Sequence, residues 1–467
     1  MLKAILPLSL VVCLRFFGLF IVLPVIALYV GEFGDTSPLL LGLAVGGAYL
    51  TQILFQTPFG ILSDKIDRKK VVMAGLFIFL VGSVICALAH SIEMLIIGRL
   101  VQGAGAIGGV VSAQITDLTR EEKRTQAMAI MGGGIFASFI LAMLLGPLIG
   151  GHFGCEWLFA ITALLSLVSM LLLGFCVPET PKIHYSYEEA PSKRILTNKN
   201  LAIMNLSSFL EKAFMTLIFV VIPLVFVEEL APIVEMGKKD LWKVYTPAAI
   251  LAILALAPAS ILAEKYGKAR LVMGYGIALF MVAYLAIAYG AHSHILWLFI
   301  GGIVLFFLGF ATLEPIMQSL TSKYAKAYNR GAALGVLTTF NYIGSFAGGM
   351  LGGILYHTLG IIELGISIAV VCATWLLTLL ALDNPAKQKN IYLPLSKYPT
   401  QSLARLSQQA GIIECYANKS EGTIIVKYDT QVLDEAQAQG LADSILYSQS
   451  IKQNPQSHYI TQKSNTK

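Results

Sequence analysis

Gly60-Ile61-Leu62-Ser63-Asp64-Lys65-Ile66-Asp67-Arg68 closes one long apolar run, and Ser260-Ile261-Leu262-Ala263-Glu264-Lys265-Tyr266-Gly267-Lys268 closes another in the same way. A pattern that returns after a long interval marks an internal repeat. Two further echoes keep nearly the same interval: Leu118-Thr119 returns as Leu320-Thr321, and Arg124-Thr125-Gln126-Ala127-Met128 as Arg330-Gly331-Ala332-Ala333-Leu334. The chain thus reads as one unit used twice. Composition says what fills the unit. Of 467 residues, 56% are hydrophobic and only 13% charged, where a soluble globular protein carries roughly 25% charged. That excludes a soluble enzyme. The formal charge of +6 is too small and too scattered for a nucleic-acid footprint.

A bilayer core about 30 Å thick takes about 20 apolar residues of helix. Twelve such runs fall at 4–30, 38–62, 71–89, 92–116, 126–151, 157–177, 201–227, 243–263, 270–290, 294–320, 331–355 and 360–382. The expected fold is an all-α polytopic membrane protein with twelve transmembrane helices in a 6+6 repeat. The first run is too long for a signal h-region and has no small-residue cleavage site, so it is expected to stay as a span. Orientation follows from where the cations fall. The loops after spans 2, 4, 6, 8 and 10 carry sets such as Lys65, Arg68, Lys69 and Lys70, or Arg120, Lys123 and Arg124, whereas the intervening loops hold only Lys238, Lys239 and Lys243. Both termini are therefore expected in the cytoplasm, with the bundle in the inner membrane.

The domain plan is a first six-helix bundle at 1–177, a polar linker at 178–200, a second bundle at 201–383, a short linker at 384–399, a soluble module at 400–450 and a polar tail at 451–467. Within the module, 402–410 reads as a helix, 412–417 and 423–428 as strands around a turn, and 432–446 as an amphipathic helix. That is an α+β core of ferredoxin type with no ligand motif. Six scattered cysteines without a CxxC pair, and histidines (His90, His152, His292, His294, His357) at separate span ends, indicate neither metal site nor disulfide framework. No cofactor is expected.

Four short motifs sit in order on the expected spans. They are Gly60 to Lys70 after span 2, Arg99-Leu100-Val101-Gln102-Gly103-Ala104-Gly105 in span 4, Gly146-Pro147-Leu148-Ile149-Gly150-Gly151 in span 5, and Leu14-Arg15-Phe16-Phe17-Gly18-Leu19-Phe20-Ile21-Val22-Leu23-Pro24 in span 1. With them the chain resembles the major facilitator superfamily over the whole bundle, and in particular its drug/proton antiporters. Leu14 to Pro24, Asp117 to Arg124, Glu314 and the appended module further resemble the YajR-type subgroup of proton-driven efflux transporters. The resemblance implies two six-helix bodies with a cargo site at mid-membrane between them.

The resemblance also implies a latch built from Gly60, Asp64, Lys65, Arg68, Asp117, Arg124 and Arg330. Its physical basis is that the N-terminus of span 11, near Arg330, presents unpaired N–H groups at the level of loop 2/3. A carboxylate at Asp64 docked there would favour the closed cytoplasmic end by roughly 0.3–1 kcal/mol. The plain alternative for the cations is that they follow the orientation rule and meet lipid headgroups. Asp67 stands where the family has glycine, and a left-handed turn there is expected to survive because Asp tolerates that backbone.

Embedded ionisable groups are functional candidates by default. Arg15, Arg99, Glu211 and Glu314 are the candidates for proton coupling. A carboxyl in an apolar cavity favours its neutral form and can be charged where water reaches it. The competing reading is structural: Arg99 as a fixed ion pair or carbonyl clamp holding spans 1 and 4, and the acids paired with Arg15 or Lys212. Glu211 and Lys212 lie about 100° apart on a helix and are not expected to share one partner. Gly146, Pro147, Gly150 and Gly151 read as a packing hinge. Phe16, Phe20, Phe209, Phe214, Phe340, Asn341 and Tyr342 are candidates for the cavity wall, against ordinary packing between helices.

The function expected is alternating access coupled to protons, expelling a small hydrophobic or amphipathic compound, with a monomer as the working unit. The partners are that small molecule, protons and the bilayer, with no nucleic acid. Uptake or facilitated diffusion of a metabolite by the same fold, and a ligand sensor signalling through the module, stay open. An enzyme is not expected, since no HExxH or GxSxG motif occurs.

Overall fold

The computed structural model describes residues 2–34, 37–119, 121–177, 198–233, 235–264, 266–325, 330–383, 388–398, 403–418 and 423–447. Most of the 178–200 linker and all of the 451–467 tail lie outside the described residues, as do the side chains of Arg124 and Arg330. The chain divides into two units, Met1–Leu382 and Asp383–Lys467.

The first unit holds the expected twelve spans. In the first half they are Leu2–Phe20 with Leu23–Val30 (span 1), Pro38–Lys65, Arg68–Ala87, Ile92–Ala104 with Gly108–Asp117 (span 4), Glu121–Phe153 and Cys155–Cys176. In the second half they are Lys199–Val225, Leu241–Glu264, Ala269–His292, Leu296–Tyr324, Arg330–Leu359 and Ile361–Thr378. Ten of these stretches are long and apolar enough to cross a membrane by themselves. The other two, spans 8 and 11, are helices of 24 and 30 residues packed among them.

The repeat is visible in the packing. Span 1 lies on span 5 as span 7 lies on span 11, and span 3 on span 4 as span 9 on span 10. Span 2 likewise meets span 4 as span 8 meets span 10. Spans 6 and 12 both start from a glycine in the left-handed region, Gly154 (φ 97°) and Gly360 (φ 80°), which turns the chain sharply where a side chain would be strained. Spans 1 and 4 are interrupted, which the sequence did not announce: helix breaks at Ile21-Val22 and at Gly105-Ala106-Ile107. At the second break, a methyl added to Gly105 would lie 2.3 Å from the Gly75 carbonyl oxygen, so span 3 passes where a side chain would stand.

The halves meet at one end and part at the other. Far from loop 2/3, span 2 and span 11 touch backbone to backbone: a methyl on Gly42 would lie 2.7 Å from Met350 Cα, and one on Gly349 3.0 Å from Gly46 Cα. Nearby, a methyl on Gly151 would lie 3.1 Å from the Lys238 carbonyl oxygen, and Lys238 Nζ pairs with Glu32 at 3.1 Å. At the loop-2/3 end Gly60, Gly331 and Gly335 have open space beside them, and Leu54, Phe55, Ile61 and Leu62 are exposed. The contact thus runs from the far end to mid-span and stops at Gln52 and Tyr342.

In the second unit, strand β1 (Gln388–Pro394), a short helix (Leu403–Leu406), β2 (Ile412–Asn418), β3 (Thr423–Asp429) and a helix (Glu435–Tyr447) follow in order. The sheet order is β1-β3-β2, and both pairings are antiparallel. This is the split βαβ arrangement with β3 inserted between two parallel strands, the ferredoxin plan. Strand β1 lies in the segment read as linker. Its Ile391 and Leu393, with Ile424, Val426 and Tyr428 of β3, form a face at period 2. Ala438, Ala442 and Leu446 of the helix cover it at the spacing of one helix face. Tyr398 donates to Asp443, and that hydrogen bond raises the phenol above its ordinary range.

Candidate functional site

Glu211, Lys212 and Glu314 come together at mid-span. Span 7 supplies the first two and span 10 the third, and the break from simple geometry is instructive. Glu211 and Lys212 start about 100° apart, yet the four-carbon stem of Lys212 bends so that Nζ pairs with Glu314 and also lies 3.4 Å from Glu211 Oε2. Glu211 also lies against Glu314, so the expectation that the two neighbours could not share a partner fails. Lys212 Nζ also sits 4.4 Å from the centroid of Phe310. Gln318, one turn along span 10 towards the loop-2/3 end, donates to Glu314 Oε1 at 3.0 Å. Glu211 is fully buried with its carboxylate against Lys212 and Glu314, while Glu314 is 22% exposed. Two carboxylates and one ammonium thus share a site whose walls are aromatic. Phe310 packs on Phe139 (5.0 Å), which meets Phe20 (5.3 Å), which meets Phe16 (5.6 Å), a row crossing from the second half into the first.

The two arginines are placed differently. Arg99 is fully buried, and its Nε and Nη2 donate to the carbonyls of Ala44 (3.1 Å) and Val45 (3.2 Å) on span 2. Its Nη1 donates to Gln102 Oε1 (2.9 Å), and Gln102 donates on to Ser83 (2.9 Å). Backbone carbonyls have a second lone pair to offer, so the cation is solvated by dipoles rather than by an anion. It is a carbonyl clamp, but between spans 4 and 2 rather than 4 and 1. Arg15 is 1% exposed and lies 5.2 Å from the centroids of both Phe16 and Phe79. Gln52 Oε1, in the amide orientation that satisfies its neighbours, accepts from Arg15 (3.0 and 3.3 Å) and from the Tyr342 hydroxyl (3.1 Å). This contact joins spans 1, 2 and 11 across the two halves. Neither arginine has a carboxylate at ion-pair distance among the described residues, so of the two alternative pairings for the acids the one with Lys212 is present and the one with Arg15 is not found.

The loop-2/3 residues hold the first half to itself. Arg68 Nε pairs with Asp117 at 2.7 Å and Arg68 Nη2 with Asp64 at 3.3 Å; Lys69 Nζ donates to the carbonyls of Gly174 (3.0 Å) and Val177 (2.8 Å) at the end of span 6. Arg68 and Lys69 therefore meet protein, not only headgroups. Lys65 is exposed. The Asp64 side chain is 68% exposed, and its ion-pair partner among the described residues is Arg68 of its own half. Asp67 preserves the turn by another route than a left-handed backbone: its φ is −63°, and its carboxylate caps span 3 by accepting from Lys69 N at 2.7 Å. Gly267, its counterpart, does take φ 65°.

Gly146 and Pro147 lie where span 5 crosses the break in span 1; a methyl on Gly146 would stand 2.3 Å from the Ile21 carbonyl oxygen, and one on Gly150 3.0 Å from Val25. Span 11 repeats the device on span 7, where Gly344 and Gly348 face the carbonyls of Phe209 (2.2 Å) and Ala213 (2.0 Å). Of the cavity-wall candidates, Phe16 and Phe20 begin the aromatic row and Tyr342 joins the mid-span contact. Asn341 accepts from Ser208 at the span 7 and 11 contact, and Phe209 and Phe340 are half-buried. Phe214 belongs elsewhere: it is buried in the second half's own core against Tyr284 (5.7 Å) and Trp375 (6.4 Å). Sequence reasoning missed Gln52, Phe139 and Phe310. Gln52, an amide at the centre of an apolar span, carried a readable signal; the two phenylalanines, among 24 in the chain, carried none.

The sequence profile of the Major Facilitator Superfamily matches residues 8–237 and 204–410. The chain is 33% identical over 429 residues, 90% of its own length and 92% of the relative's, to the inner membrane transport protein YajR of Escherichia coli (strain K12). It is 25% identical to the quinolone resistance protein NorA of Staphylococcus aureus (strain MSSA476), covering 80% of this chain and 96% of that one. Among solved structures, a D-xylose-proton symporter superposes with a TM-score of 0.67 at 14% identity, covering 82% of this chain and 98% of that chain. The human organic anion transporter MFSD10 superposes with a TM-score of 0.61 at 16% identity, covering 81% and 99%. Twelve spans in two matching halves, a sealed end, an open end and this sequence likeness make the chain a member of the Major Facilitator Superfamily of membrane transporters, in its YajR-like branch.

Proposed function

We propose that this transporter exports a small hydrophobic or amphipathic compound in exchange for protons, with Glu211, Lys212 and Glu314 as the proton-coupling set. The observation that carries the reading is the charge count at that site: one ammonium between two carboxylates leaves one negative charge over. Binding one proton cancels it. A neutral set can then be carried past the apolar seal as the halves rock, whereas a net charge at that depth resists the move. The loop-2/3 end is the cytoplasmic one by the distribution of Lys and Arg, so the conformation described is inward-facing, with both termini inside. Release of the proton there follows from the partial exposure of Glu314 and its contact with the exposed Gln318.

Docking of Asp64 at the start of span 11 belongs to the opposite state, when the inner end closes. The glycine contacts of spans 2 and 11 and of Gly151 with Lys238 open in that state. A proton moving inward contributes about 2.3 kcal/mol per 100 mV, besides any pH difference. The aromatic row from Phe16 to Phe310 suits an apolar cargo held by shape. The names of two relatives, an inner membrane transport protein and a quinolone resistance protein, support the location and the export direction. The test is flux of Nile red, a neutral amphipathic dye, from proteoliposomes across an imposed pH step. Export that follows the step and stops when it is collapsed is expected; flux indifferent to the pH step contradicts the proton coupling.

A further inference from the structure

The ammonium of Lys212 sits where three groups that favour a cation converge. It is enclosed by Glu314 and Glu211 and lies over the Phe310 ring at 4.4 Å, the arrangement by which proteins hold organic ammonium ions. The ring is itself fixed by Phe139 at 5.0 Å and Phe306 at 6.5 Å. Glu211 is fully buried, and the one cation at ion-pair distance from it among the described residues is this lysine. The cation is supplied by the chain, on a stem anchored one residue from Glu211.

We infer that Lys212 is a tethered occupant which sets the charge class of the cargo: the wild-type carrier takes neutral or anionic amphipathic compounds and rejects organic cations. An incoming cation would have to displace an ammonium whose effective concentration is fixed by its tether, and would meet that ammonium's repulsion as it approached. Removing the ammonium leaves two carboxylates and an aromatic face, a site for a permanent cation. The inference rests on the export reading for its transport consequence, but its binding consequence stands without protons.

Equilibrium dialysis of phenyltrimethylammonium against the purified full-length protein in detergent tests it. Wild type and Lys212→Arg are expected to bind at least about tenfold more weakly than Lys212→Met, which alone should saturate over the range measured. Lys212→Met/Glu314→Gln is expected to lose the gain, which ties the cation to this site. Saturable binding to wild type equal to that of Lys212→Met overturns the inference, as does a gain that survives Glu314→Gln. Should Lys212→Met not fold, wild-type proteoliposomes decide alone: pH-driven export of Nile red with none of phenyltrimethylammonium is expected, and export of both at similar rates overturns it. Loss of proton-linked Nile red export with cation exclusion intact would count against the export reading only.

Discussion

Buried charge is handled differently in the two halves. In the first, Arg15 and Arg99 are wrapped by backbone carbonyls, an amide and aromatic rings, and each has its cation fixed in place without a carboxylate at ion-pair distance among the described residues. In the second, one lysine is shared by two glutamates, one buried and one partly exposed. A guanidinium keeps its proton under any condition the cell meets, so these two buried cations do not titrate. The second can exist in two protonation states that differ in net charge. The difference teaches how a tandem repeat of one fold can divide labour: in the proposed mechanism one copy braces and the other takes up the proton.

Three substitutions break or sharpen this contrast. Glu314→Gln should have the largest effect, cutting pH-driven export by about 100-fold or more, the scale of losing a proton-transfer group. Exchange of cargo at equal pH should persist, so the two fluxes measured side by side separate coupling from binding. Arg99→Met is expected to cost stability instead, about 1–3 kcal/mol for the orphaned Gln102 amide and the lost clamp, read as a lower melting temperature in detergent. The number of protons moved per cargo should not change. Tyr342→Phe removes one hydrogen bond across the halves, about 1 kcal/mol, and should raise the outward-open population about fivefold. Labelling of a cysteine placed at Met350 by an impermeant maleimide would register it, and an unchanged rate would show that the mid-span contact does not hold the seal.

The repeat, the twelve spans and the embedded acids were legible because they are properties of residue order. Gly60 to Arg68 and its echo need no coordinates, nor does an ionisable side chain inside an apolar run. Partnership was less legible. Lys212 reaches Glu211 and Glu314 through a flexible stem whose direction the 100° step of the helix does not determine. That the clamp open to Arg99 would fall on span 2 and not span 1 is not readable, because residue order does not say which span packs against span 4. Phe214 and Phe139 look alike in sequence, yet one faces the second half's core and the other the aromatic row. Strand β1 escaped notice because Gln388-Lys389-Asn390 starts it with poor strand formers and Pro394 ends it. Asp67 shows the reverse case, where the right turn was expected for the wrong conformational reason.

A smaller effect would refine the picture of the latch. Asp64→Asn should slow turnover only about two- to fivefold, the size of a helix-terminus charge interaction of 0.3–1 kcal/mol, and should leave the inward-open state as it is, since Asp64 is there an exposed side chain paired within its own half. Stopped-flow export rates at fixed pH step would resolve a change of that size.

The most direct test of the division between the halves is proton movement itself. Proteoliposomes loaded with pyranine and given an outward Nile red gradient should show inward proton flow for the wild type and for Arg99→Met, corrected for the amount of folded protein. Glu314→Gln should show none while still passing dye. Proton flow in Glu314→Gln equal to that of the wild type, or its loss in well-folded Arg99→Met, would contradict the assignment of the titrating role to the second half.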